Sequence, residues 1–160
     1  MTDWVVPTTF ALFVSILAVA SGPLVSAVDV TQQGTPLGDG NTAVTVDSVP
    51  TEQVTLEQGR FGSGRYHLAA PPAAITVDRV EGNPALRYTV DIPSLWTTAT
   101  SRYELAGTEG TRMELRPEPI GISPQRVDQD SYDGILTIWI REGDRERQIL
   151  LERITIEVKP

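Results

Sequence analysis

From residue 42 onward the chain alternates. Leu86, Tyr88, Val90 and Ile92 take turns with Arg87, Thr89 and Asp91, so an extended segment here has one apolar and one polar side, the pattern of a half-buried strand. The same two-residue period recurs at Val44 and Val46, at Val54 and Leu56, at Tyr66 and Leu68 around His67, at Ile75 and Val77 around Thr76, and at Met113 and Leu115. Residues 97 to 105 carry it more weakly, with Ala99, Tyr103 and Leu105 on one face. Gly38 to Asn41, Pro71-Pro72, Gly82 to Pro84, Gly107 to Gly110 and Pro117 to Pro124 punctuate these runs. Short strands at this spacing, with no helical period between them, predict an all-β sandwich or barrel over residues 42–160.

The C-terminal pair is the strongest element. Gly134 to Glu142 is apolar on both sides: Leu136, Ile138 and Ile140 on one, Ile135 and Trp139 on the other. Only a central or doubly covered strand tolerates that. Glu142-Gly143-Asp144 makes a tight turn, and residues 148–158 return with an apolar phase that slips from Ile149 and Leu151 to Ile154, Ile156 and Val158. A slip of one residue moves every side chain to the other face, so the sequence predicts a β-bulge near Glu152-Arg153 or a strand that crosses between sheets. A strong final hairpin entered through Tyr132-x-Gly134 and continued by Leu136, Ile138 and Ile140 resembles the last two strands of immunoglobulin-like sandwiches. The resemblance spans about 30 residues, lacks the immunoglobulin cysteine pair, and implies an architecture only. The expected fold is an immunoglobulin-like or jelly-roll-type antiparallel β-sandwich, preceded by one N-terminal apolar helix.

That helix rests on the stretch from Trp4 to Val28, which has no charged residue and is bracketed by Asp3 and Asp29. Its most apolar part, Phe10 to Ala20, has the length of a signal-peptide core, with small residues Val25-Ser26-Ala27 at a cleavage position. The 25 residues also suffice to span a bilayer, with Trp4 at an interface. Residues 1–27 therefore read as a signal peptide or an N-terminal membrane anchor, and no positive charge orients them. Residues 28–41 read as a linker, in which Val28 and Val30 leave room for a first strand.

Charge and composition narrow the partners. The net charge is -8 and the pI about 4.6, so duplex DNA and anionic lipid surfaces repel the chain and nucleic acid is disfavoured. Of the 13 basic residues only Lys159 is a lysine. An acidic surface with Arg in place of Lys resembles, in composition alone, the proteins of salt-loving archaea; a GC-rich genome produces the same Arg bias. The chain has no Cys, which excludes disulfides and thiolate chemistry.

Candidate chemistry is sparse. Asp128, Asp130 and Asp133, followed by Gly134, place three carboxylates on a turn where their oxygens could gather around Ca²⁺. The spacing departs from the helix–loop–helix calcium loop, with Tyr132 at its fifth position and Trp139 at its twelfth, and a solvated acidic turn has the same look. His67 is the only His, which rules out multi-His zinc sites. Nothing in the sequence brings Ser63 or Ser101 to it, and on its strand it points to solvent. Gly59 to Arg65 is Gly-rich, but a strand follows where a phosphate cradle needs a helix, so it reads as a hairpin or irregular loop. Trp96, Trp139, Tyr66, Tyr88 and Tyr103 could stack sugars, yet most fall on core faces.

These observations point to a non-enzymatic, extracytoplasmic β-sandwich, secreted or anchored to the cytoplasmic membrane with the β domain outside. It would act through contacts with other surface proteins or with itself, and touch the membrane through residues 4–28 if these are retained. Two alternatives stand beside this: a subunit of an extracellular filament or coat, joined when residues 28–31 add as a strand to a neighbour, and a carbohydrate- or calcium-binding module. No obligatory cofactor is expected, Ca²⁺ being the one candidate.

Overall fold

A computed structural model of the chain describes residues 40–59 and 64–160. The expected N-terminal helix, the cleavage or anchor segment, and the linker up to residue 39 lie outside the described residues. The described residues form ten strands: β1 (Gly40–Ser48), β2 (Thr55–Gln58), β3 (Tyr66–Ala69), β4 (Ala73–Gly82), β5 (Ala85–Ile92), β6 (Thr97–Glu104), β7 (Arg112–Leu115), β8 (Gly121–Ile122), β9 (Ser131–Glu142) and β10 (Arg145–Lys159). Two single 3-10 turns, Pro93–Leu95 and Pro124–Arg126, are the helical elements among the described residues. None of these is long and apolar enough to cross a membrane.

The strands form two sheets, one ordered β1-β4-β7 and the other β6-β5-β9-β10-β2-β3-β8. The alternation read from the sequence is the burial pattern of the structure. In β5 Leu86, Tyr88, Val90 and Ile92 are fully buried while Arg87, Thr89 and Asp91 are half-exposed. In β9 Tyr132, Leu136, Ile138 and Ile140 point inward with Gly134. Ile75, Val77 and Leu115 of the smaller sheet close over them in one hydrophobic cluster. Each fully buried aliphatic side chain stabilises the fold by about 1.5–3 kcal/mol relative to exposure.

Polar ties join the sheets at one end. The Glu142 carboxylate, at the β9–β10 turn, accepts the Thr42 backbone N–H (3.0 Å) and pairs with Arg147 (3.2 Å), which also donates to the Thr42 carbonyl (3.1 Å). β1 is thereby fixed to the hairpin of the opposite sheet.

Two expectations need correction. Pairing is not wholly antiparallel: β2 runs parallel to β10, with Thr55, Leu56 and Glu57 opposite Glu157, Val158 and Lys159. The bulge in β10 falls at Ile149, between the Gln148–Trp139 and Leu150–Ile138 pairs, and not at Glu152-Arg153. Glu152 lies opposite Leu136, on the core side, yet is exposed. The slip in apolar phase therefore becomes visible in sequence only at Ile154, where the strand becomes buried.

Candidate functional site

The acidic turn ahead of β9 is organised by Tyr132. Its hydroxyl accepts the backbone N–H groups of Asp128 (2.8 Å) and Gln129 (3.1 Å) and donates to the Asp128 carboxylate (3.1 Å). The Tyr132 ring is buried; only a side chain with an apolar body and a polar tip can both fill the core and tie down the loop. Two residues on, a Cβ at Gly134 would stand 2.7 Å from Ile156 Cδ1 and 3.1 Å from Ile154 Cγ1, so β10 packs against bare backbone there.

This turn is where the sequence suggested Ca²⁺. Asp128 is hydrogen-bonded to Tyr132, Asp130 is exposed with its carbonyl accepting the Val158 N–H (2.9 Å), and Asp133 is exposed opposite Thr155. Among the described residues no three His, Cys, Asp or Glu side chains form a group that could hold a metal ion. His67 is exposed on β3 opposite Glu57. Gly59 N–H donates to the Arg65 carbonyl (2.8 Å) and β2 pairs antiparallel with β3, so the Gly-rich stretch joins a hairpin.

The outer face of the larger sheet is the more informative surface. Its side chains form cross-strand rows: Arg102, Arg87, Trp139 and Gln148; Glu104, Ala85, Arg141 and Glu146; Thr100, Thr89, Thr137 and Leu151; Thr98, Asp91, Ile135 and Arg153. The Arg87 guanidinium lies 5.9 Å from the Trp139 ring centroid and 3.3 Å from Glu146. A cation over an indole face is worth about 0.5–1 kcal/mol at an exposed site. The hollow beside this group, lined by Arg87, Arg102, Trp139, Arg141 and Glu146, holds only about 40 Å³. That is an order of magnitude below the roughly 300 Å³ at which ligand pockets begin. Ile135 and Trp139 are half-exposed and Leu151 is 52% exposed.

Among the five aromatics considered for stacking, Tyr88 is fully buried and Tyr66 and Tyr103 pack against the core. Trp139 is half-exposed on the outer face, and Trp96 is 91% exposed; Trp96 is also the one non-glycine residue with positive φ (46°) among those described. A left-handed conformation costs a residue with a Cβ about 1–2 kcal/mol. The sequence carried no signal for this, because Trp96 follows Pro93-Ser94-Leu95 in what reads as an ordinary turn.

Together these features define an all-β, two-sheet, sandwich-like domain in which no described element covers the outer face of the larger sheet. No protein-family model matches the chain, and no curated protein matches it.

Proposed function

We propose that the protein is an extracytoplasmic immunoglobulin-like sandwich, non-enzymatic, that works by binding other proteins. Strand order supports the finer fold in part: β1-β4-β7 against β6-β5-β9-β10 corresponds to the two-sheet partition of variable-type immunoglobulin sandwiches, while β2, β3 and β8 extend the larger sheet beyond that pattern. Tyr132, bonded to backbone three and four residues upstream at the start of β9, takes the part of their tyrosine corner. Gly134 stands two residues further on, where their second cysteine lies.

The observation that carries the function is the outer face of β5, β9 and β10. Ile135, Trp139 and Leu151 lie there with no described element over them, framed by Arg87, Arg102 and Arg141. Aromatic and Arg side chains are the ones that anchor protein interfaces, and a contiguous apolar patch with a charged rim marks a contact surface. The stretch from Trp4 to Val28 supports export. A photo-crosslinking amino acid placed at Trp139 in cells, with fractionation and intact mass of the product, tests both parts. The expected result is a protein adduct in the membrane or extracellular fraction that an exposed control position, Glu114 on β7, does not give. An uncleaved cytosolic protein giving no adduct from position 139 would refute it.

A further inference from the structure

We propose that β6 is a self-association edge. A second copy of this chain pairs antiparallel along it, about a two-fold axis through Thr100. This rests on the protein-contact reading and names the partner and the strand.

A sheet edge exposes unpaired N–H and C=O groups, and native chains blunt edges by shortening, bulging, Pro, or charged side chains, Lys above all. Three of the four edges are treated in this way. β7 has 4 residues and β8 has 2. β1 is broken by register shifts at Ala43/Val44 and Val46/Ser48. β6 is different. It has 8 residues, TTATSRYE, without Pro or Lys and with one charge of each sign, Arg102 and Glu104, and its register with β5 runs unbroken from Ala85–Glu104 to Ile92–Thr97.

The groups of β6 that no described strand pairs can be identified. Leu105 N–H donates to the Pro84 carbonyl (3.0 Å), one step past the Ala85–Glu104 pair. Hydrogen-bonded and non-hydrogen-bonded pairs alternate in an antiparallel ladder, so the odd residues of β6 bond β5. The backbone groups of Thr98, Thr100, Arg102 and Glu104 then face outward. Thr98, Arg102 and Glu104 are exposed.

The second copy is chosen by two groups on this same edge. Arg102 sits directly opposite Arg87, an unfavourable like-charge pair, and has no ion pair or hydrogen bond among the described residues. Trp96, just before β6, is held in a strained backbone conformation with its ring in water; such outliers cluster at functional sites. Pairing about Thr100 places Thr98 of each copy opposite Arg102 of the other. Trp96 is then one diagonal step away, within reach of a guanidinium. The two-fold is perpendicular to the sheet, so both Trp139 faces look the same way. One edge buries little area, so the contact belongs to the small, reversible class.

The chain's lack of Cys makes the test direct. Thr100→Cys in the full chain, oxidised, should yield a disulfide-linked dimer, since Cα atoms of a hydrogen-bonded pair are about 5.5 Å apart. Ser48→Cys on the bulged β1 edge should not. Trp96→Gly should weaken self-association at least tenfold in sedimentation equilibrium while the thermal midpoint stays level or rises, because glycine removes the strain. Equal cross-linking of the two Cys variants overturns the proposal, as does a Trp96→Gly chain that associates as before. The photo-crosslink at position 139 is read separately, so a failed edge and a failed sheet face remain distinguishable.

Discussion

Tyr88 lies at the centre of β5, opposite Ser101 on one side and Ile138 on the other, with 0% exposure. Its hydroxyl has no hydrogen-bond partner among the described residues. A buried, unpaired hydroxyl costs about 1–3 kcal/mol, and the ring alone supplies the packing. Tyr88→Phe keeps the ring and removes the orphan, so the variant should be more stable by about 1–2 kcal/mol, with a thermal midpoint several degrees higher for a domain of this size.

The same burial, with Tyr103 adding a smaller like-charge effect, pushes the Tyr88 pKa from 10.0 up to about 12. The folded state therefore keeps a proton that the unfolded chain surrenders above pH 10. The stabilisation from that proton is complete below pH 10 and is lost as pH rises through 12. Two units correspond to about 3 kcal/mol. Urea unfolding of wild type and Tyr88→Phe at pH 7, 10 and 11.5 measures both effects. The variant should start higher at pH 7, and its advantage should widen in alkali. A variant less stable than wild type at pH 7, or one with an identical alkaline decline, would show that the hydroxyl is satisfied in the core and would refute the reasoning.

Tyr132→Phe removes the acceptor of two backbone N–H groups and should cost about 1–3 kcal/mol in chemical denaturation, more than Asp128→Ala, which deletes a single exposed carboxylate contact. Gly134→Ala should cost about 1–3 kcal/mol by overpacking against Ile154 and Ile156, read as a lower thermal midpoint. Calcium at millimolar concentration should leave the midpoint unmoved; a rise that grows with the logarithm of Ca²⁺ concentration would establish an ion site at Asp128, Asp130 and Asp133.

How much of this was legible in the sequence depends on what covers each strand. β5, and β9 from Gly134 onward, read correctly because the smaller sheet lies over one side and makes the two-residue period strict; Ser131 to Asp133, read as a turn, already belong to β9. In β10 the pairing slips at Ile149, but residues 151–153 are exposed on both phases, so the pattern located the slip too late. β8, two residues within a Pro-rich stretch, leaves no periodic trace. The parallel β2–β10 pair joins segments about 100 residues apart, and local pattern carries no information on such pairing. Asp128, Asp130 and Asp133 suggested a cation site because spacing displays carboxylates and hides the hydroxyl that one of them binds. The tyrosine was in plain view; its bond to Asp128 was not.

Salt offers a last discrimination at the β6 edge. Two chains of net charge -8 repel each other, and that repulsion acts over a Debye length of about 10 Å at 0.1 M salt but only about 3 Å at 1 M. The contact proposed between Trp96 and Arg102 is short-ranged and partly desolvated, so salt weakens it less than it weakens the repulsion. Self-association measured by sedimentation should therefore strengthen from 0.1 to 1 M NaCl. A different register, centred on Tyr103, would set Arg102 of each copy against Glu104 of the other and hold the edge by two exposed ion pairs. Such pairs are worth under about 1 kcal/mol each and are screened by salt, so that edge would come apart as salt rises. An association that falls with salt would thus refute the Thr100-centred pairing even if a dimer forms.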